Sequence, residues 1–173
     1  MLNMHEALVP VPGSPLLITN MQAGWPTPAW ASDEHKAKQT SYEFMPLYLQ
    51  VQNAGQQVVH AYRVMVARYD AFGEYIDTIR ATSVTYDQAT KEGLAPQGTD
   101  YGRWSLRVQA PYLTGTALLY VDAVRFSDGS VWRADPQAVL VRAPSAAPGI
   151  RFHSWHVVPD PREVLPRQIK DPG

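Results

Sequence analysis

The sequence predicts an all-β protein: an antiparallel β-sandwich of about seven strands set between two irregular arms. Two observations predict it. Of the 15 prolines, six precede residue 47 and seven follow residue 135, leaving only Pro96 and Pro111 between. Proline lacks a backbone donor and is excluded from central strands, so residues 47–135 outline the sandwich. Residues 1–46 then form an N-terminal arm with a candidate first strand, and residues 136–173 a proline-rich C-terminal arm. Inside the window, alternating β-branched and aromatic residues are punctuated by Asn53-Ala-Gly55, Asp70-Ala-Phe-Gly73 and Ser127-Asp-Gly129, which carry antiparallel turn chemistry.

The elements follow in order. Leu16-Leu-Ile-Thr19 is the candidate first strand, and Pro26 and Pro28 hold the stretch after it in extended or turn geometry. Leu47 to Asn53 alternates Leu47, Leu49 and Val51 on one face with Tyr48, Gln50 and Gln52 on the other. From about Val58 to Asp70 both faces are apolar, the pattern of a central strand. Ala71-Phe-Gly73 fits a three-residue hairpin loop leading into Glu74 to Arg80 and on towards Thr85. Thr85-Tyr-Asp-Gln88 has the form of a capping box, with Gly93 placed to close one turn of helix. Trp104 to Gln109 and Ala117 to Phe126 are further strands, the latter carrying one edge-facing or buried carboxylate, Asp122. Asp128-Gly129 reads as a type I′ turn returning through Ser130 to Arg133. After Asp135 the periodicity fades, and seven prolines make the final arm extended.

Composition narrows the function classes. The formal charge is -1, and the window 47–135 holds eight Lys or Arg against nine Asp or Glu. No basic run marks a nucleic-acid footprint, so none is expected as a partner. With no cysteine there is no disulfide, thiolate metal site or thiol nucleophile. The first residues lack the cationic and apolar regions of an intact signal peptide, which leaves an exported mature chain and a cytoplasmic one both open. No apolar stretch approaches a membrane span.

Candidate chemistry is thin. His153 and His156 are spaced i, i+3, but two ligands without a third group do not make a metal site, and in an extended segment they face opposite ways. Asp70, Asp77, Asp87, Asp100 and Asp122 offer no pair distinguished for acid–base work, while Asp70 and Asp128 precede glycine turns as backbone acceptors. There is no G-x-S-x-G elbow, and Gly93, Gly98 and Gly102 have the wrong spacing for a phosphate loop. The chain is therefore expected to be no enzyme and to need no cofactor. Trp104 and Trp132 are expected to fill the space between the sheets.

The order Val51-Gln-Asn53, Tyr69-Asp70 with Gly73, Leu94-Ala-Pro96 with Gly98-Thr99, a valine-rich strand and Phe126-Ser-Asp-Gly129 resembles the bacterial FxLYD-type domains. The resemblance covers residues 47–133 and departs from the pattern by Gln97, inserted between proline and glycine. It implies an immunoglobulin-like or fibronectin-like sandwich of exported, envelope-associated or virion-type assemblies, with no catalytic residues. The functional expectation is a non-enzymatic binding or assembly module that contacts a protein partner, or itself, through its arms. Trp25, Trp30, Phe152 and Trp155 are the candidate contacts, because solvated linkers rarely carry so many large apolar groups. The alternative is a carbohydrate-binding module that stacks sugars on Tyr62, Tyr75 and Tyr101.

Overall fold

The structure, a computed structural model, describes residues 4–24, 44–108, 113–152 and 168–170. Its elements run β1 (His5–Leu8), β2 (Leu16–Ala23), β3 (Phe44–Asn53), β4 (Val59–Asp70), β5 (Tyr75–Val84), β6 (Thr99–Arg107), β7 (Thr114–Phe126), β8 (Val131–Arg133), α1 (Pro136–Ala146) and β9 (Gln168–Lys170). One sheet has the order β1-β7-β4-β5 with β8 also paired to β7, and the other the order β2-β3-β6-β9. The two sheets pack as a β-sandwich. The expected class holds, with nine strands among the described residues in place of about seven.

Alternation along β4 explains why two cores form. Tyr62, Val64 and Val66 point between the sheets, where they meet Leu47, Leu49 and Val51 of β3 and Trp104 and Leu106 of β6. Met65, Ala67 and Tyr69 point the other way, joining Leu118 and Tyr120 of β7 in a second core on the outside of the sheet. A strand flanked by β5 and β7 and covered on both faces must be apolar on both, as the sequence suggested.

The helix that covers the outer core corrects the expectation of an extended arm after residue 135. Asp135 accepts a hydrogen bond from the Gln137 amide at 3.0 Å, and Pro136 takes the first helical position, where its missing donor costs nothing. Val139 and Ala143, four apart, then bury themselves on Met65, Tyr69 and Leu118. Each large apolar side chain so covered contributes roughly 1.5–3 kcal/mol, which outweighs a proline at the exposed Pro144 in the last turn. Proline density was thus a poor guide here: one proline starts the helix and another sits near its end.

The N-terminal region also belongs to the sheets. The candidate strand at Leu16 extends to Ala23 as β2, antiparallel to β3. β1 pairs in parallel with β7, from His5 opposite Thr116 to Leu8 opposite Leu119, and was not foreseen because four residues before a proline cluster show little periodicity. Pro46, buried as the third residue of β3, lies opposite Ser105, and its carbonyl accepts from the Gly24 amide at 2.8 Å.

Two turn predictions change. Thr85 to Gln88 does not cap a helix: the Thr85 hydroxyl bonds back to the Val59 carbonyl at 2.6 Å, and its amide reaches the His60 carbonyl at 2.9 Å. A backbone tied to β4 is not free to turn, and Asp87 bridges to Glu92 instead. At Asp128-Gly129 only the glycine has positive φ, 85°. Gly129 donates to the Phe126 carbonyl, and Phe126 donates to the Ser130 carbonyl, so the loop is a turn closed by a left-handed glycine and not type I′. The Asp70 loop has the predicted form, with Gly73 at φ 79°.

Asn53 anchors the turn that bears it. Wholly buried, it spends all its polar groups: its amide on Gly98, its carbonyl on Gln97, its Nδ2 on the Gln57 and Leu94 carbonyls, and its Oδ1 on the Gly55 amide. Gln97 itself sits at φ 64°, between Pro96 and Gly98, whose amide closes the turn on Ala95. The residue that departs from the FxLYD pattern therefore occupies a left-handed turn position.

Candidate binding surfaces

The five carboxylates that the sequence left equivalent each have a structural partner. Asp70 Oδ1 accepts from the Phe72 and Glu74 amides, both at 2.9 Å, and Asp87 Oδ1 from the Ala89 amide at 2.8 Å. Asp77 makes a two-pronged pair with the wholly buried Arg68, both contacts at 2.6 Å, and Thr114 accepts a third guanidinium hydrogen bond at 2.8 Å. Asp100 accepts from the Tyr62 hydroxyl at 2.9 Å, and Asp122 from Arg63 at 2.5 Å. Asp128 holds Ser130 through amide and hydroxyl, which lowers its carboxyl below the usual range. Among the described residues no three His, Cys, Asp or Glu cluster as a metal site would need.

The aromatic candidates separate by burial. Tyr62 is 2% exposed and stands edge-on to Trp104 at 6.3 Å, so it is a core residue and not a sugar platform. Burial first, and the neighbouring Asp100 second, raise its phenol well above the ordinary value. Tyr75 is half-buried, edge-on to Tyr69 at 5.9 Å, with its hydroxyl 2.8 Å from that of Thr78. Only Tyr101, 42% exposed and hydrogen-bonded from Gln50, presents substantial surface. Trp104 lies wholly in the inner core with its indole donating to the Thr82 carbonyl, and Trp132 packs against the same core. Of the arm residues, Phe152 is half-buried against the outer core of its own chain. Trp25, Trp30 and Trp155 lie outside the described residues, as do His153 and His156.

Two surfaces remain open, and neither was foreseen. The first is the tip of the β4–β5 hairpin. Phe72 is 87% exposed there, although Asp70 and Gly73 fix the loop beneath it. Exposed Leu113 lies at the same end, because its neighbour Thr114 pairs with Asp70. A hollow of about 430 Å³ lies between Ala71 to Gly73, Gly115 and Pro148 to Ile150. Residues 148–152 run past the hairpin: the Arg151 amide donates to the Gly73 carbonyl at 2.9 Å, and its guanidinium reaches Glu74 at 3.0 Å.

The second is the half of the outer sheet face that α1 leaves bare. Strand register sets Val84, Ala61, Arg125 and Val131 in one row across β5, β4, β7 and β8. Thr82, Arg63, Ala123 and Arg133 form the next, and Arg80 begins the third beside Met65. A shallow groove of about 140 Å³ runs among Arg63, Arg125, Arg133 and Val131. Counting along the chain hid this face, since its arginines come from four strands and are balanced by acids used elsewhere.

No helix among the described residues is long and apolar enough to cross a membrane. No family model matches the chain, and no curated protein does. Among solved structures, it is similar to a hypothetical protein from Peptoclostridium difficile 630, at 12% identity and a TM-score of 0.48, over 72% of this chain and 89% of that one.

Proposed function

We propose that this chain is a non-enzymatic binding or assembly module whose protein partner seats on the Phe72 end of the sandwich. The observation that carries the reading is a large aromatic ring, 87% exposed, held on a hairpin loop fixed by side-chain and backbone hydrogen bonds. Aromatic anchors beside a hollow are where interface energy concentrates, and a preorganised loop loses little freedom on binding. The commitment of all five candidate carboxylates to turns, ion pairs and a tyrosine supports a role without chemistry. The resemblance to FxLYD-type modules points towards an envelope-associated or virion-like setting, with an immunoglobulin-like topology.

The arms enter this reading at one place. Residues 148–152 flank the hairpin, so a partner on Phe72 touches the part of the C-terminal arm that follows α1 as well. A photo-crosslinking phenylalanine analogue at position 72, in the cells that produce the chain, tests this directly. A discrete crosslinked protein from position 72, and none from the exposed turn position 128, is the expected result. An uncrosslinked chain at position 72, or equal labelling at both, overturns the reading.

A further inference from the structure

We infer that the bare half of the outer sheet face is a second binding site, distinct from the Phe72 end, and that it takes an extended acidic segment of a partner protein. Among the described residues, four guanidiniums, Arg63, Arg80, Arg125 and Arg133, share this face with one carboxylate, Asp122. On a chain of formal charge -1 that is a local excess of positive charge, which concentrates anions at the surface. Among the described residues Arg63 is paired with Asp122, whereas Arg80, Arg125 and Arg133 form no side-chain hydrogen bond or ion pair.

The Arg63–Asp122 pair displays how a carboxylate sits here: one oxygen 2.5 Å from both Nε and a terminal nitrogen of the same guanidinium. Arg125 and Arg133 offer the same donors to a carboxylate from outside. Strands lie roughly 5 Å apart and alternate residues roughly 7 Å apart, so the roots of Arg63, Arg125 and Arg133 are about 8–10 Å from one another. With the reach of the arginine stems, that matches carboxylates on alternate residues of an extended peptide.

The floor decides between classes of anion. Ala61, Ala123 and Val131, the last 46% exposed, lie between the cations, and Val84, 63% exposed, borders them on β5, so that the intervening apolar side chains of such a peptide would rest there. Among the described residues the large exposed aromatics, Phe72 and Tyr101, lie on other surfaces, so none of them gives bases or sugar rings a flat platform on this face.

The test uses the full chain and a fluorescent peptide of alternating glutamate and valine. Saturable binding that weakens with added salt is expected, with affinity falling about tenfold or more in R125E/R133E. R125Q/R133Q, which adds no repulsion, should show a smaller loss in the same direction. R107E, on the other sheet, should bind as the parent does, and matched thermal melts exclude misfolding. No binding, equal binding by R125E/R133E, or equal affinity for an alternating lysine–valine peptide overturns the proposal. Heparin or single-stranded DNA binding more tightly than the peptide, with the same loss in R125E/R133E, overturns it in favour of that polyanion. F72A leaves this binding intact while removing the aromatic anchor of the other surface, so failure at one site does not imply failure at the other.

Discussion

At the residue scale, Gly102 shows how a position that looks incidental is fixed by its neighbour. Its backbone lies under the Trp104 ring: a Cβ there would come within 2.1 Å of Trp104 Cη2 and 2.9 Å of the Tyr62 hydroxyl. The glycine is present because the indole folds back over it to reach the Thr82 carbonyl. Gly102→Ala must displace a wholly buried tryptophan or bend β6, and overpacking of that kind costs about 1–3 kcal/mol. Chemical denaturation should show the midpoint falling with the slope unchanged; an unaltered midpoint would mean that the ring relaxes freely. The sequence named Trp104 as core but could not pair it with Gly102, because two residues along a strand do not ordinarily collide.

Arg68 makes the complementary point about charge. A guanidinium with no exposure is tolerated because Asp77 and Thr114 supply three hydrogen bonds at one end of the inner core. Along the sequence, Arg68 is a charge in a largely apolar strand, and nothing local names its partners. Its partners come from β5 and β7, and strand registry alone brings them together.

At the scale of elements, α1 is the piece whose absence would change the protein most. Met65, Tyr69, Leu118 and Tyr120 are covered by Val139, Ala143 and Ala147. A chain ending at Arg133 would expose that apolar face, and exposed patches of this size bind dyes and associate. We expect such a truncation to bind anilinonaphthalene sulfonate and to melt well below the full chain. If it stays dark to the dye and melts as the parent does, the outer core is not a stabilising unit.

What was legible divides along the same line. β3, β4, β7 and both glycine hairpins are legible in period-two alternation and turn residues, which report local geometry, whereas β2 shows only as the short apolar run Leu16-Leu-Ile-Thr19. α1 was missed although Asp135-Pro136 is a helix-start signal, because the surrounding prolines outweighed it. β1 was missed because its partner is remote. The Phe72 tip and the arginine face were invisible for a further reason: exposure and side-chain convergence are properties of registry between strands, not of any one strand.

At the scale of the whole molecule, both cores hold phenols whose ionisation is disfavoured where they lie. Burial is the first cause of the upward shift for Tyr62 between the sheets and for Tyr69 and Tyr120 on the outer face. Asp100 adds to it at Tyr62, Tyr75 at Tyr69, and Asp122 at Tyr120, where Arg63 and Arg80 pull the other way. A folded value above the unfolded one means that the native state holds the proton more tightly. That contribution is complete below the ordinary phenol value near 10 and is lost as pH rises beyond it. The thermal midpoint should therefore fall steeply on the alkaline side, with phenolate absorbance appearing only as the chain unfolds. Phenolate appearing in the native state near the ordinary value would contradict the burial.

The parallel pairing of β1 carries a consequence in time. His5 finds Thr116 more than a hundred positions away, so this edge of the sheet cannot close until most of the chain exists. Loop closure over such a span is slow, and contacts that need it form late. During synthesis the β2–β3 pair and the β4–β5 hairpin can assemble first, while residues 5–8 wait for β7. The first of these strands is thus locked only after β7 exists, and until then this edge of the unfinished molecule is open to a neighbour's strand.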